Sequence, residues 1–268
     1  MITNDNYYSV NNKGLSQSQI KAFELDPNYM YRSCISGELK RKGSTAMTTG
    51  REVDSILTEV NKFQNTVIAP YSDFRSKEAR EWKADQEALG KTVLKEDEYE
   101  SVMAIAIAVQ DTSIWKDIEK NYIMQDILIQ EDSELGPHFD CLYGKPDAYK
   151  IENGVCHLLD LKTSNDIDRR KFFYKAKELG YFKQLWFYSE LLKIKYPEIN
   201  EFKYSFVVAE TKEPFRVKLY SIKNQLVEEQ GNEMQYLITQ IANTTDFSKP
   251  DITWDDAEDI AGEDEFQD

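Results

Sequence analysis

The dipeptide Asn153-Gly154 constrains this chain more than any other feature, because it separates two strand-like runs, residues 141–151 and 155–163. An Asn-Gly pair in that position is the strongest short-range signal for a β-hairpin, since both central residues of a type I′ turn need positive φ. With those two residues as the loop, Glu152 faces Val155, and counting outward brings Asp147 opposite Asp160. Directly opposed residues hold their Cβ atoms roughly 5 Å apart, and strand alternation puts Lys162 on the same face as Asp160. His157, Leu159 and Leu161 are then expected on the other face, toward the core.

Like charges facing each other destabilise a sheet unless a cation sits between them. The register therefore asks for a hard, oxygen-seeking ion such as Mg²⁺ or Mn²⁺, with Lys162 beside it to orient a water or hold a phosphate. The same spacing also suits a solvated sheet face on which Lys162 simply pairs with one of the acids.

The rest of the chain provides a large enough body for such a site. Its 268 residues, 41% of them apolar, can bury a full core. The apolar run of residues 102–109 is too short to cross a bilayer, and the first ten residues lack the basic-then-apolar order of a signal peptide, so a cytoplasmic protein is expected. Three cysteines with no C-x-x-C spacing support neither a disulfide framework nor a zinc site, and they read as buried thiols.

The net charge of −15 argues against a nucleic-acid partner, because phosphate binding relies on Lys and Arg displacing counterions. Its distribution weakens that objection. The last 18 residues, 251–268, hold nine acids and no base, while Arg169, Arg170, Lys171, Lys175, Lys177 and Lys183 crowd into one segment. That segment is either a solvated helix face or a binding surface, and Lys40, Arg41 and Lys42 form a second basic cluster. One domain over residues 1–250 followed by an acidic tail, 251–268, is expected.

Helices are expected over residues 15–27, with Ser16 and Gln19 as a capping box, and over 48–60, with Thr49 and Glu52 as another and Val53, Ile56, Leu57 and Val60 as the buried stripe. Further helices are expected over 95–110, 168–179, 181–194 and 224–241, and strands over 201–210 and 215–222. Residues 122–130 suit either a strand or a buried helix. The order predicts an α/β (α+β) fold with a mixed central sheet flanked by helices.

Pro146-Asp147 followed by Asp160-Leu161-Lys162 resembles the signature of the PD-(D/E)xK nuclease superfamily. Gln184 and Tyr188, four apart, share a helix face and by periodicity alone could belong to an aromatic core stripe. A Q-x-x-x-Y after D-x-K, however, is similar to an additional motif of recombination exonucleases. The segments LSQSQIKAFELDP, GKPDAYK, LLDLKTSNDIDRRKFFYKAKELGYFKQLWFYSELL and FKYSFVVAETKEPF run in the order seen in RecE-type (exonuclease VIII-like) phage and prophage exonucleases. The resemblance covers most of residues 14–225.

The resemblance implies a restriction-endonuclease-like core and a Mg²⁺- or Mn²⁺-dependent exodeoxyribonuclease. Such an enzyme degrades linear double-stranded DNA 5′→3′ and leaves 3′ single-stranded tails for a RecT-type annealing protein. It implies Asp147 and Asp160 as metal ligands, Lys162 as the group that positions or activates water, and Gln184 and Tyr188 lining the site near DNA. It also implies a closed homo-oligomeric ring. The family's upstream G-x-x-x-H reads Gly50 to Asp54 here, so a carboxylate stands in place of imidazole, either as a third metal ligand or as a solvent-facing helix residue beside the Val53 and Ile56 stripe. Glu131 is a further metal or water contact, or a strand-end acid. Arg169, Arg170, Lys171, Lys175 and Lys183 are the expected DNA contacts, and neither His138 nor His157 is assigned to catalysis. Related nucleases with an iron–sulfur cluster need four cysteine ligands, one more than the chain has. The alternative of another class is a catalytically inactive DNA-binding subunit on the same fold.

Overall fold

The computed structural model describes residues 2–3, 6–7, 13–39, 43–58, 63–132 and 134–247. In chain order the helices are α1 (Gln17–Leu25), α2 (Pro27–Met30), α3 (Thr45–Thr58), α4 (Lys77–Ala88), α5 (Glu96–Gln110), α6 (Ser113–Asn121), α7 (Arg169–Glu178), α8 (Tyr181–Lys195) and α9 (Asn224–Asn243). The strands are β1 (Gly14–Leu15), β2 (Thr66–Ile68), β3 (Thr92–Leu94), β4 (Ile123–Met124), β5 (Leu128–Glu131), β6 (Cys141–Gly144), β7 (Ala148–Glu152), β8 (Val155–Ser164), β9 (Glu201–Glu210) and β10 (Val217–Ile222).

The hairpin forms as its turn residues dictate. Asn153 and Gly154 take φ of 51° and 79°, and β7 pairs antiparallel with β8 from Glu152↔Val155 to Ala148↔Leu159. At Gly154 a side chain is doubly barred, by that positive φ and by Asn200 Nδ2, which lies 2.5 Å from where a Cβ would stand. The hairpin sits in a five-stranded sheet of order β10-β9-β8-β7-β4. Only β8 and β9 run parallel there, joined by a crossover through α7 and α8 as parallel strands require. Residues 122–130 resolve into β4 and β5, and β5 joins β6 and β1 in a separate three-stranded sheet.

Strand β8 is covered on both faces, which the expectation of one core face did not anticipate. Cys156 and Leu158 pack with Phe206, with Phe182 and Leu185 of α8, and with Met234 of α9. Leu159 and Leu161 pack on the opposite side with Val53 of α3 and Val102 and Ile105 of α5. A strand next to a parallel neighbour is normally sandwiched in this way, so its apolar residues run consecutively instead of alternating. His157 is half-buried rather than packed in the core, and all three cysteines are buried free thiols.

Local capping explains where the helices begin. Gln19 Oε1 accepts the Ser16 N–H at 2.7 Å and starts α1 as expected. Helix α3 begins earlier than its sequence suggested: Ser44 Oγ accepts the Met47 N–H at 3.2 Å, so Thr49 lies inside the helix. Glu52 is buried and accepts a hydrogen bond from Thr66 Oγ1 of β2 instead of capping. Val53 and Leu57 are buried and Ile56 packs beside them, while Val60 lies outside the described residues.

Candidate active site

Asp147 follows Pro146 and stands one residue before β7, so the register of Ala148↔Leu159 continues to Asp147 opposite Asp160. Its Oδ2 accepts the Leu161 N–H at 2.7 Å, which ties the carboxylate to β8. The Asp147 carbonyl accepts the Gln125 N–H at 3.2 Å. Gln125 itself has a left-handed φ of 53°, just past β4. That bend aims its carboxamide between two acids: Nε2 lies 3.4 Å from Asp54 Oδ1 and 3.4 Å from Asp147 Oδ1. Asp54 arrives from α3, whose Gly50 passes so close to β8 that an added Cβ would stand 3.0 Å from Thr163 Oγ1. Sequence reasoning missed Gln125, and nothing local in the sequence marks it.

Asp160 is only 1% exposed and forms an ion pair with Lys162, yet neither carboxylate oxygen has a well-formed hydrogen bond. Burial pushes its pKa up, against the pull of Lys162. Asp147 keeps some exposed surface, but it lies deep enough among protein atoms to be desolvated. Burial raises its pKa well above the usual carboxylate range, and the charges of Asp160 and Asp54 add to the rise. Burial alone would lower the pKa of Lys162, but Asp160, Asp147 and Tyr181 outweigh it and hold the ammonium above its ordinary value. Three carboxylates thus share a desolvated site with one ammonium.

The ammonium has a second anchor. Lys162 Nζ donates to Gln184 Oε1 at 3.0 Å, and Gln184 Nε2 donates in turn to the Tyr188 hydroxyl at 3.0 Å. The Tyr181 ring lies beneath the ammonium, 4.5 Å from centroid to Nζ, another contact that sequence reasoning missed. Tyr188 is buried against Gly144, where a Cβ would come within 2.8 Å of its ring. Gln184 and Tyr188 therefore adjoin the site through Lys162 and brace its ammonium.

Other expected site residues lie apart. Glu131 is exposed at the far end of β5, paired with Cys141, three residues beyond the Leu128↔Gly144 pair that adjoins Tyr188. Three residues of strand span about 10 Å, so Glu131 belongs to the strand end and not to the carboxylate cluster. Lys183 also departs from expectation: it is buried and ion-paired with Glu24 of α1 and, at 3.0 Å, with Glu233 of α9. A cation already neutralised between two helices is not available to phosphate. Lys171 is exposed but paired with Asp166 at 2.6 Å, while Arg169 and Arg170 are exposed in the first turn of α7. Lys175 is half-buried and donates to Ser164 Oγ at 3.3 Å. His138 contacts the Thr245 carbonyl and meets Phe247 edge-on, away from the cluster. Lys40, Arg41, Lys42 and the 251–268 tail lie outside the described residues.

Among the described residues, no group of three His, Cys, Asp or Glu side chains already stands at metal-ligating distance. The donor chemistry nevertheless fits a hard divalent cation. Every candidate ligand is a carboxylate oxygen, the acids outnumber the ammonium, and both oxygens of the buried Asp160 lack well-formed hydrogen bonds. Asp54, Asp147 and Asp160 are the residues that would hold such an ion.

Residues 16–251 match a protein family described as a PDDEXK-like domain of unknown function (DUF3799). Among solved structures, the crystal structure of a "putative exonuclease" from Eubacterium rectale shares the fold with a TM-score of 0.62 at 16% identity, over 91% of this chain and 87% of that one. The crystal structure of SSO0001 is 13% identical over 70% of this chain and 82% of its own, with a TM-score of 0.31. No curated protein matches the chain.

Proposed function

For a chain that belongs to the PDDEXK-like domain family (DUF3799), we propose a metal-dependent nuclease of the RecE type that hydrolyses phosphodiester bonds of linear double-stranded DNA. In this reading it works 5′→3′ from duplex ends and leaves 3′ tails for a RecT-type annealing partner. It acts in the cytoplasm as a closed homo-oligomeric ring. A ring would let a chain of net charge −15 concentrate its few free cations on a central channel. Among the described residues no helix is long and apolar enough to cross a membrane.

The observation that carries the reading is Asp160: a carboxylate 1% exposed, without a well-formed hydrogen bond, in register with Asp147 and two residues from Lys162 on the same strand face. A purely structural sheet position gains little from such an acid, because desolvating Asp160 and Lys162 together costs several kcal/mol, which their single ion pair does little more than offset.

Asp54, Asp147 and Asp160 would hold Mg²⁺ or Mn²⁺, which supplies Lewis-acid neutralisation of the charge that builds on the phosphate during hydrolysis. The protein's own groups do the positioning. Lys162, held by Asp160 and Gln184, presents an ammonium that donates to a phosphate oxygen or orients the attacking water. Asp147, fixed by the Leu161 N–H, and Asp54, aligned through Gln125, set where the phosphate can approach. Tyr188 and Gln184 keep Lys162 from relaxing toward solvent.

End-labelled linear duplexes and closed circles incubated with Mg²⁺ or Mn²⁺ test this directly, with Asp160→Asn as control. The expected result is nucleotide release from linear DNA alone, absent in the variant. Binding without cleavage under every metal condition would instead identify an inactive DNA-binding subunit, and cutting of circles would rule out dependence on ends.

A further inference from the structure

A cleft of about 540 Å³, lined mostly by polar residues, lies at the carboxyl end of β8. Thr163 and Ser164, which directly follow Lys162, line it together with Thr49 of α3 and Lys175 of α7. The two main elements are in close contact, since a Cβ on Gly50 would stand 3.0 Å from Thr163 Oγ1. Asp97 and Glu98, in the first turn of α5, also line the cleft, and both are ion-paired with Lys95, at 3.9 and 3.6 Å.

Two other lysines of the basic segment are already paired. Lys171 is neutralised by Asp166, and Lys183 by Glu24 and Glu233. Lys175 is half-buried, makes no ion pair among the described residues, and donates only to the neutral Ser164 hydroxyl. A half-buried ammonium whose hydrogen-bond partner is one neutral hydroxyl has no anion in contact, and a phosphate oxygen supplies both the charge and a further acceptor. Position sets which phosphate. Thr49 precedes Asp54 by five residues on α3, about 7.5 Å at 1.5 Å per residue. Neighbouring phosphates of one strand lie on the order of 7 Å apart, roughly twice the axial rise, so this is about one step along the backbone.

We propose that this cleft is a backbone subsite that holds the phosphate about one nucleotide from the cleaved ester. Lys175 supplies the charge and Thr49 and Thr163 supply hydroxyl donors, while Ser164, whose hydroxyl already donates to the Asp166 carbonyl at 2.6 Å, accepts from Lys175 and holds it in place. Asp97 and Glu98, partly neutralised by Lys95, remain as acceptors for an exocyclic amino group of the attached base. The inference rests on DNA being the substrate, as proposed above. It adds a specific register: one phosphate, on one side of the cut, read by one lysine.

The test uses duplexes carrying a single uncharged methylphosphonate at each successive position near the end, titrated without divalent cation against the wild type and Lys175→Gln. In the wild type one position, about the first beyond the cut, is expected to weaken binding about 10-fold, the loss typical of one charge-assisted hydrogen bond. Lys175→Gln should show that loss on the unmodified duplex and no further loss at that position. Thr163→Val, nearly isosteric, should show a smaller effect at the same position and gives the reading where Lys175→Gln fails to fold. Variants that respond to every methylphosphonate as the wild type does would overturn the subsite. Cleavage is scored separately with Mn²⁺: position-specific coupling without cutting would sink the hydrolytic reading and leave the subsite standing, whereas cutting without coupling would do the reverse.

Discussion

Gln184 accepts a hydrogen bond from the Lys162 ammonium at 3.0 Å and donates from its own amide to the Tyr188 hydroxyl at the same distance, so three side chains from β8 and α8 act as one clamp. Because Lys162 also pairs with Asp160, the clamp fixes the ammonium between an acid and a neutral amide. Gln184→Ala is expected to lower kcat about 10- to 100-fold with KM nearly unchanged, since it loosens a group that acts mainly in the transition state. Tyr188→Phe, one bond further away, should cost about 3- to 10-fold. Single-turnover kinetics on end-labelled duplex separate the two parameters. A rise in KM at constant kcat would mean that Gln184 touches DNA itself, as the resemblance had implied.

Asp147 illustrates the cost of placing three acids together. Burial and the charges of Asp160 and Asp54 all disfavour its ionised form. Asp147→Asn removes the charge while its carbonyl oxygen can still accept the Leu161 N–H. The metal-free variant is therefore expected to melt higher by about 2–4 °C, the effect of roughly 1 kcal/mol in a chain of this size. It should also lose the stabilisation that Mn²⁺ gives the wild type. Melting curves with and without Mn²⁺ and with a chelator decide the matter. A lower metal-free melting temperature would show that the carboxylate is structural.

These two relationships show which parts of the molecule could be read from its sequence. The Asn153-Gly154 turn, the register that opposes Asp147 to Asp160 and the shared face of Asp160 and Lys162 follow from local chemistry, and each is present. What escaped depends on partners far along the chain. Lys183 looked like a phosphate contact because Glu24 lies 159 residues before it and Glu233 reaches it from another helix. Helix α4 gave no periodic signal, since Ala79 is its only buried residue. The two-sided burial of β8 was visible in principle, because consecutive Leu158 and Leu159 cannot both be interior on a one-faced strand. Gln125 carries no signal at all: its role comes from a left-handed bend that brings it between two acids, 71 and 22 residues away in sequence.

Lys162 is expected to matter for turnover more than for affinity. Lys162→Met keeps a side chain of similar length but removes the charge that sits over the Tyr181 ring. Cleavage should fall about 100- to 1,000-fold, the range for losing one preorganised charge stabiliser, while metal-free DNA binding changes less than about 3-fold. The variant also leaves the buried Asp160 without its cation, so a melting curve must accompany the kinetics. Equal losses in binding and turnover would make Lys162 a phosphate anchor instead.

The basic segment provides the sharpest contrast between charge that is free and charge that is already neutralised. Arg169 and Arg170 are exposed in the first turn of α7, where positive side chains oppose the helix dipole, and Asp168 offsets this by accepting the Arg170 N–H at 2.9 Å and the Lys171 N–H at 3.3 Å. Lys183 belongs to the same basic run but is buried between Glu24 and Glu233. Replacing Arg169 and Arg170 with Gln should therefore leave the melting temperature unchanged and reduce the log–log salt slope of DNA binding by about two, roughly 0.9 for each phosphate that is no longer neutralised. Lys183→Met should do the opposite. The slope should stay as in the wild type, while stability falls by about 1–3 kcal/mol, because two partly exposed glutamates lose their shared partner and α1, α8 and α9 lose a tie. Fluorescent-duplex titrations at several salt concentrations, without divalent cation, give the slopes, and denaturant melts give the stabilities. A reduced slope for Lys183→Met with unchanged stability would return that lysine to the DNA surface and weaken the assignment of α7 as the face that DNA meets.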